Sequence, residues 1–227
     1  MALDVALICD TTYSMRPYLE LVRTKLDDIV KTVFSVVPNT RVGVIYFRDY
    51  DYADVTYVTQ SCDLTNDIAA VRRFIMGVTS AERGRTDPEA VEEGLYAANQ
   101  LSWRVGARRA VVLVGDAPPH GVLDSRSECA YGHFYLDEAS SLAQKTIRIY
   151  AVHCGDNLAT TGAFRKMADA TQGKYLNLEA IDDLAQLLVA ICMKEVGLLE
   201  VYKQQLRAMS QLTPSCQLLL GNLGTDD

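Results

Sequence analysis

Short apolar or β-branched runs alternate along the chain with segments whose apolar residues recur every three or four positions, and no other feature restricts the fold as strongly. Leu3–Cys9, Arg41–Phe47 (RVGVIYF), Ala110–Gly115 and Ile147–His153 are near-continuous apolar runs of strand length, as strands buried on both faces are. Val55–Thr59 alternates more weakly and suits an edge, and Lys174–Leu178 closes the series. Between these runs, Arg16–Val37 carries Leu19, Val22, Leu26, Ile29 and Val33 on one helical face. Asn66–Met76, Pro88–Leu101, Asp137–Lys145 and Ala163–Ala170 read as further helices. Pro88 falls early in its helix, where a missing N–H costs nothing, and Gly173 suits a left-handed C-terminal cap. Strands alternating with helices predict an α/β fold with a parallel central sheet covered by helices on both faces.

In such sheets ligands bind beyond the carboxyl ends of the strands, near the point where strand order reverses. That rule gives several residues a shared address. Asp10 stops the first apolar run, and Thr12 and Ser14 follow it at alternate positions in ICDTTYSM. Asp116 ends VVLVGD, and Thr86 lies in GRTD at the opening of a helix. Each has a plain reading alone, because Asp, Ser and Thr cap free backbone N–H groups at strand ends and helix starts. GRTD in particular reads as a helix N-cap by Thr86 or Asp87, with Glu89 in the first turn. Together, two carboxylates and three hydroxyls suit Mg²⁺ or Mn²⁺, hard ions that take about six oxygens and keep some waters. One or both acids can act by holding those waters.

The same residues carry a resemblance. Asp10-x-Thr12-x-Ser14, then GRTDPEA, then GDAPPHG, in that order, resembles the metal-ion-dependent adhesion site of the von Willebrand factor type A domain. YFRDYDY and GDAPPHG are most similar to intracellular members, free-standing in bacteria or joined to alpha-type kinases. YAVHCGD and FRKMADATQGKYLNL resemble the family's closing strand–helix–strand, so the likeness runs from Ala2 to the helix near Met193. It implies a Rossmann-like α/β domain over residues 1–196, its sheet doubly wound and mostly parallel with one antiparallel edge strand, and a helical extension over 197–227. It implies metal ligands at Asp10, Thr12, Ser14, Thr86 and Asp116, with Asp87 as the alternative to Thr86. The ion would be Mg²⁺, with Mn²⁺ or Ca²⁺ as substitutes, and an Asp or Glu of a partner protein would complete its shell. Thr12 stands where the family more often has Ser, and keeps the hydroxyl.

Charge and composition narrow the partners. The chain has 227 residues, 22% of them charged, and a formal net charge of −7. No basic stripe follows any expected helix, which argues against nucleic acid. Arg72-Arg73, Arg83/Arg85 and Arg108-Arg109 read as solvated surface. The six cysteines form no CxxC pair, and no segment is long and charge-free enough to span a bilayer, so a reduced, cytoplasmic protein without membrane attachment is expected.

Competing chemistry is poorly supplied. His153 and Cys154 are neighbours on a strand and point to opposite faces, so they cannot form a dyad. His120, Cys129 and His133 lack a fourth zinc ligand and standard spacing, and Asp49, Asp51 and Asp54 read as solvated loop acids. No nucleophile elbow, P-loop or dinucleotide fingerprint occurs. A Mg²⁺-dependent phosphohydrolase remains the enzymatic alternative, because Asp10 occupies the place of a strand-end nucleophile; Thr12 stands where such enzymes need a second acid. A scaffold with a vestigial site is the third reading. Beyond Gly197, Leu199, Tyr202, Leu206 and Met209 make an apolar stripe that exceeds what the domain should need, and self-association or a partner helix is its expected cover.

Overall fold

In the computed structural model, which describes residues 1–79, 88–123, 125 and 129–224, one sheet runs in the order β3-β2-β1-β4-β5-β6. Its strands are β1 (Leu3–Asp10), β2 (Thr40–Phe47), β3 (Thr59–Thr65), β4 (Arg108–Gly115), β5 (Arg148–His153) and β6 (Lys174–Asn177). Every pairing is parallel except β2 with β3. The helices are α1 (Arg16–Val36), α2 (Ile68–Gly77), α3 (Val91–Asn99), α4 (Tyr135–Gln144), α5 (Leu158–Ala170), α6 (Leu184–Glu195), α7 (Leu199–Ala208) and α8 (Pro214–Gly224). This is the α/β architecture expected from the alternation, with the antiparallel edge that the resemblance implies.

Both faces of the sheet are buried, which is why its central strands are apolar without alternation. On β1, Leu3, Val5 and Cys9 join a core shared with α1, α2 and α6, while Ala6 and Ile8 join a second core with α3, α4 and α5. A Cβ at Gly94 on α3 would stand 2.9 Å from the Ile8 side chain, so the helix lies on the sheet at a distance only glycine allows. At the far end of β1, the buried Asp4 binds Arg41 (2.7 Å) and Arg104 (2.6 Å) and ties the amino ends of β1, β2 and the segment before β4 together.

Several boundaries differ from the sequence reading, each for a physical reason. The antiparallel edge strand is Thr59–Thr65, not Val55–Thr59, because Tyr50–Tyr52 forms a 3₁₀ turn and Thr56 N–H bonds back to Tyr52. That strand reads poorly because only Leu64 in it is buried. Pro88 is not in helix α3; it precedes a bridge between Glu89 and Pro119, and the helix starts at Val91. Helix α5 starts at Leu158, earlier than its apolar pattern suggests, because Asn157 caps it by accepting from Ala159 N–H. The left-handed residue after α5 is Gln172 (φ 56°), not Gly173. Gly173 is required for closeness instead, since a Cβ there would lie 1.9 Å from the Ile149 carbonyl oxygen.

The chain does break at Gly197 (φ 76°) between α6 and α7. The stripe beyond it is covered by the protein itself: Leu199, Tyr202 and Leu206 are buried in the core shared with α6, Cys216, Leu219 and Leu223, and only Met209 is exposed. Asp183 fixes α8 by accepting from Thr213 (3.1 Å) and Ser215 (2.6 Å) hydroxyls. The need that pointed to a second copy or a partner helix is therefore met within the chain. Among the described residues, no helix is long and apolar enough to cross a membrane.

Candidate metal centre

Strand order reverses between β1 and β4, and the residues leaving their carboxyl ends meet there. The pairing of Cys9 with Val114 sets Asp10 and Asp116 at the same edge. Asp10 is 1% exposed, and its chain turns at once into a 3₁₀ turn over Tyr13–Met15 that leads into α1. Thr12 donates to Asp10 Oδ1 twice, from its backbone N–H (2.7 Å) and from its hydroxyl (2.6 Å). Thr12 Oγ1 stands 3.4 Å from Ser14 Oγ, and Ser14 is exposed. The alternating rhythm of Asp10, Thr12 and Ser14 thus aims all three toward one point.

The other oxygen of the carboxylate is the telling one. Asp10 Oδ2 is buried and accepts no hydrogen bond. Burial and the facing Asp116 carboxylate push the Asp10 acidity toward the protonated form, against the pull of the two Thr12 bonds. A buried carboxylate facing a second, half-buried one is unfavourable unless a proton or a cation lies between them. The Thr12 hydroxyl gives its proton to Asp10 and so keeps lone pairs for a cation. Oxygens on adjacent corners of a Mg²⁺ octahedron lie about 3 Å apart, close to the Thr12–Ser14 separation. The residues fit a hard divalent ion. Thr86 and its alternative Asp87 lie outside the described residues.

Buried polar residues behind the site hold its loops, and sequence reading missed them. Arg48, 2% exposed, follows β2 and donates to the Thr11 hydroxyl (3.2 Å), to the Thr56 hydroxyl (2.7 Å) and to the Thr79 carbonyl. Its guanidinium also covers the Tyr57 ring at 4.2 Å. One side chain therefore joins the loop between Asp10 and Thr12 to the end of the segment preceding residue 80. The only sequence signal was a lone Arg directly after a buried strand.

Beside the site, loop residues form a second polar network that takes in Asp49, while Asp51 and Asp54 are exposed as loop acids usually are. Asp49 pairs with His120 (2.8 Å), and His133 pairs with Glu93 (2.8 Å). The Tyr50 hydroxyl reaches both Glu92 (2.7 Å) and Glu93 (2.9 Å), while His120 N–H bonds the other oxygen of Glu92. Burial pushes the Glu92 carboxyl up to about 7. These contacts lock the loops after β2 and β4 onto the first turn of α3. Among the described residues, no group of three or more His, Cys, Asp or Glu is arranged as a metal cage, so the zinc arrangement weighed for His120, Cys129 and His133 does not form. His153 and Cys154 do diverge: the imidazole lies against Phe164 and Tyr175, and the thiol is buried in the opposite core, with its acidity weakened by that burial. None of the six cysteines is in a disulfide.

Comparison with known proteins agrees with this geometry at the level of fold. No family model matches the chain. A protein of Acanthamoeba polyphaga mimivirus, named as an ariadne-like RING finger protein, is 26% identical over 206 residues, which is 86% of this chain and 20% of that one. The alpha-protein kinase vwkA of Dictyostelium discoideum is 29% identical over 123 residues, 52% of this chain and 19% of the kinase. The chain thus spans about one fifth of the length of the curated relatives it matches. Among solved structures, the SpRpn10 VWA domain superposes with a TM-score of 0.57 at 14% identity, over 84% of this chain and 95% of that domain. BatB from Bacteroides thetaiotaomicron gives 0.60 at 15% identity, over 88% and 99% of the two chains. Proximal thread matrix protein 1 of the mussel byssus, with a zinc-occupied adhesion-site motif, gives 0.62 at 18% identity over 87% and 46%. The fold of this chain is that of the von Willebrand factor type A domains.

Proposed function

We propose that this von Willebrand factor A-type fold is a metal-dependent protein-binding module. A divalent cation, Mg²⁺ in the first instance, would be held by Asp10, Thr12, Ser14 and Asp116, with Thr86 or Asp87 as the remaining ligand. An Asp or Glu carboxylate of a partner protein would take the open position. The observation that carries this reading is Asp10 Oδ2, buried and without a hydrogen bond beside a second carboxylate. The chain's own part is to present oxygens, hold them still through Arg48 and Thr11, and keep Asp10 shielded from water. A metal with few anionic ligands stays attractive to another anion, which gives the site its preference for an acidic partner.

No turnover is proposed. His153 and Cys154 diverge to opposite sides of the sheet, and the residue two after Asp10 is a hydroxyl rather than an acid. Calorimetric titration of Mg²⁺ and Mn²⁺ into the chain tests the ion. Partner capture is then compared between the native chain and Asp10→Ala, each with and without chelator. Capture lost in both the variant and the chelated sample is the expected result; capture indifferent to both, or phosphomonoester hydrolysis abolished by Asp10→Asn, would overturn the reading.

A further inference from the structure

At the end of the sheet opposite the metal centre, the turns that enter β4, β5 and β6 enclose a polar cavity of about 300 Å³. Arg108, Arg109, Thr146, Arg148, Gln172 and Glu195 line it. Arg108 and Gly115 stand at the two ends of the eight-residue β4, about 23 Å of strand apart, so this cavity shares nothing with Asp10 and Asp116. Arg108 and Arg109 read as solvated surface in the sequence; the pairing of Ala110 with Arg148 brings a third guanidinium to them. It also puts Arg108 on the Arg148 face of the sheet and Arg109 on the other, so the cations straddle the sheet's end.

Three guanidiniums face one carboxylate among the described lining residues, in a chain whose net charge is −7. That carboxylate is already engaged. Glu195, 5% exposed, accepts from Arg148 (3.2 and 3.3 Å) and from the Tyr150 hydroxyl (2.6 Å). Two positive charges are left over. Arg109 donates one Nη2 proton to the Thr146 hydroxyl at 2.6 Å, which orients its fork, while its Nε–H is buried with no acceptor. Thr146 holds this place in a left-handed conformation (φ 53°), where glycine would be easier and would leave Arg109 unheld.

We infer that this cavity binds the phosphoryl group of a phosphomonoester. A phosphomonoester carries close to two negative charges at neutral pH, matching the two uncompensated guanidiniums, and offers several acceptor oxygens to their planar forks. A single carboxylate would leave one cation uncompensated. The volume is at the small end of ligand sites, which suits a phosphoryl group with a short adjoining body and excludes a nucleic-acid strand. The phosphoryl group can come from a free small ester or from a phosphorylated side chain, and the binding chemistry is the same.

The test is calorimetry on the full chain in chelator, which removes any contribution of the metal centre. Inorganic phosphate, glycerol 2-phosphate and a phosphoserine peptide are titrated against sodium chloride at matched ionic strength. Saturable binding of phosphate, weakened about tenfold or more in Arg109→Gln and in the exposed Arg108→Gln, with unchanged affinity in Asp10→Ala, is the expected result. Arg109→Lys keeps the charge without the fork and should recover only part of the affinity. A tighter peptide assigns the phosphoryl group to a partner, a tighter glycerol phosphate to a small molecule, and either supports the site. Heat no larger than that of chloride, or phosphate binding unaltered by both arginine variants while they remain folded by circular dichroism, would overturn it.

Discussion

Thr12 directs its backbone N–H and its hydroxyl to the same oxygen of Asp10, at 2.7 and 2.6 Å, and leaves the other oxygen buried without a bond. In the proposed metal site, one carboxylate oxygen of Asp10 is held by the chain, and the second is the oxygen offered to the cation. A ligand that binds only the folded state stabilises it by about 2.7 kcal/mol at a hundred times its dissociation constant. For a chain of this size that is a rise in melting temperature of about 5–10 °C. Mg²⁺ should produce it in the native chain, Thr12→Val should reduce it, and Asp10→Ala should abolish it. An identical rise in Asp10→Ala would place the ion elsewhere.

Glu92 makes stability depend on pH in a direction opposite to most carboxylates. Burial raises its folded-state value from 4.5 to about 7, so between these limits the folded protein holds a proton that the unfolded chain has released. The favourable contribution is full below pH 4.5 and is lost as pH rises through 7, on the order of 3 kcal/mol over that window. Glu92→Gln keeps an acceptor for Tyr50 and cannot ionise. Urea midpoints in chelator at pH 5 and pH 8 should separate in the native chain, with pH 8 the weaker, and the separation should narrow in the variant, where the buried Asp10 still contributes in the same direction. A native chain more stable at pH 8, with the variant following the same profile, would show that Glu92 is ionised throughout.

The sheet was legible because β1, β2, β4 and β5 are buried on both faces, and continuous apolar runs leave little else for them to be. Strand β3 was misplaced because its pairing with β2 is made by backbone, and six of its seven side chains are not buried. Asp10, Thr12, Ser14 and Asp116 were legible because local spacing and strand ends carry them. Arg48, Tyr50, Glu92 and Glu93 were not, since their meaning comes from partners on other elements, such as Thr79 for Arg48 and His133 for Glu93. Arg148 escaped notice beside Arg108 and Arg109 for the same reason: only the β4–β5 register unites them.

The last helices test how far a stripe can be read without its cover. Leu206 is 3% exposed and packs in the core with α6 and α8, while Val201, five residues earlier on another face of the same helix, is 50% exposed. Leu206→Ala should cost about 2–5 kcal/mol, as deletion of a buried leucine does, and Val201→Ala no more than about 0.5 kcal/mol. Ending the chain at Val196 should likewise expose apolar core and lower the urea midpoint. Equal midpoints for both substitutions would mean that α7 is not packed on the domain, and would restore the partner helix as its cover.

Adjacent residues at the end of α5 should respond in opposite directions. Gly173 N–H bonds Ala168 and Gln172 N–H bonds Asp169, closing the helix with Gln172 in the left-handed region. A side chain there strains the backbone by roughly 1–2 kcal/mol, and glycine would relieve it while gaining freedom in the unfolded chain worth about 0.4–1 kcal/mol. Gln172→Gly should therefore raise stability slightly, by about 0.5 kcal/mol. Gly173 has no such latitude, because a methyl group would enter the carbonyl of Ile149, 1.9 Å away, on a strand that pairs with the one Gly173 leads into. No side-chain rotation relieves a clash with backbone, so β5 and β6 must separate at their amino ends. Gly173→Ala should then cost more than about 4 kcal/mol, the range reserved for gross backbone or packing faults. Urea denaturation of the two variants decides it: if Gly173→Ala is tolerated as well as Gln172→Gly, the turn does not approach β5 as closely as described.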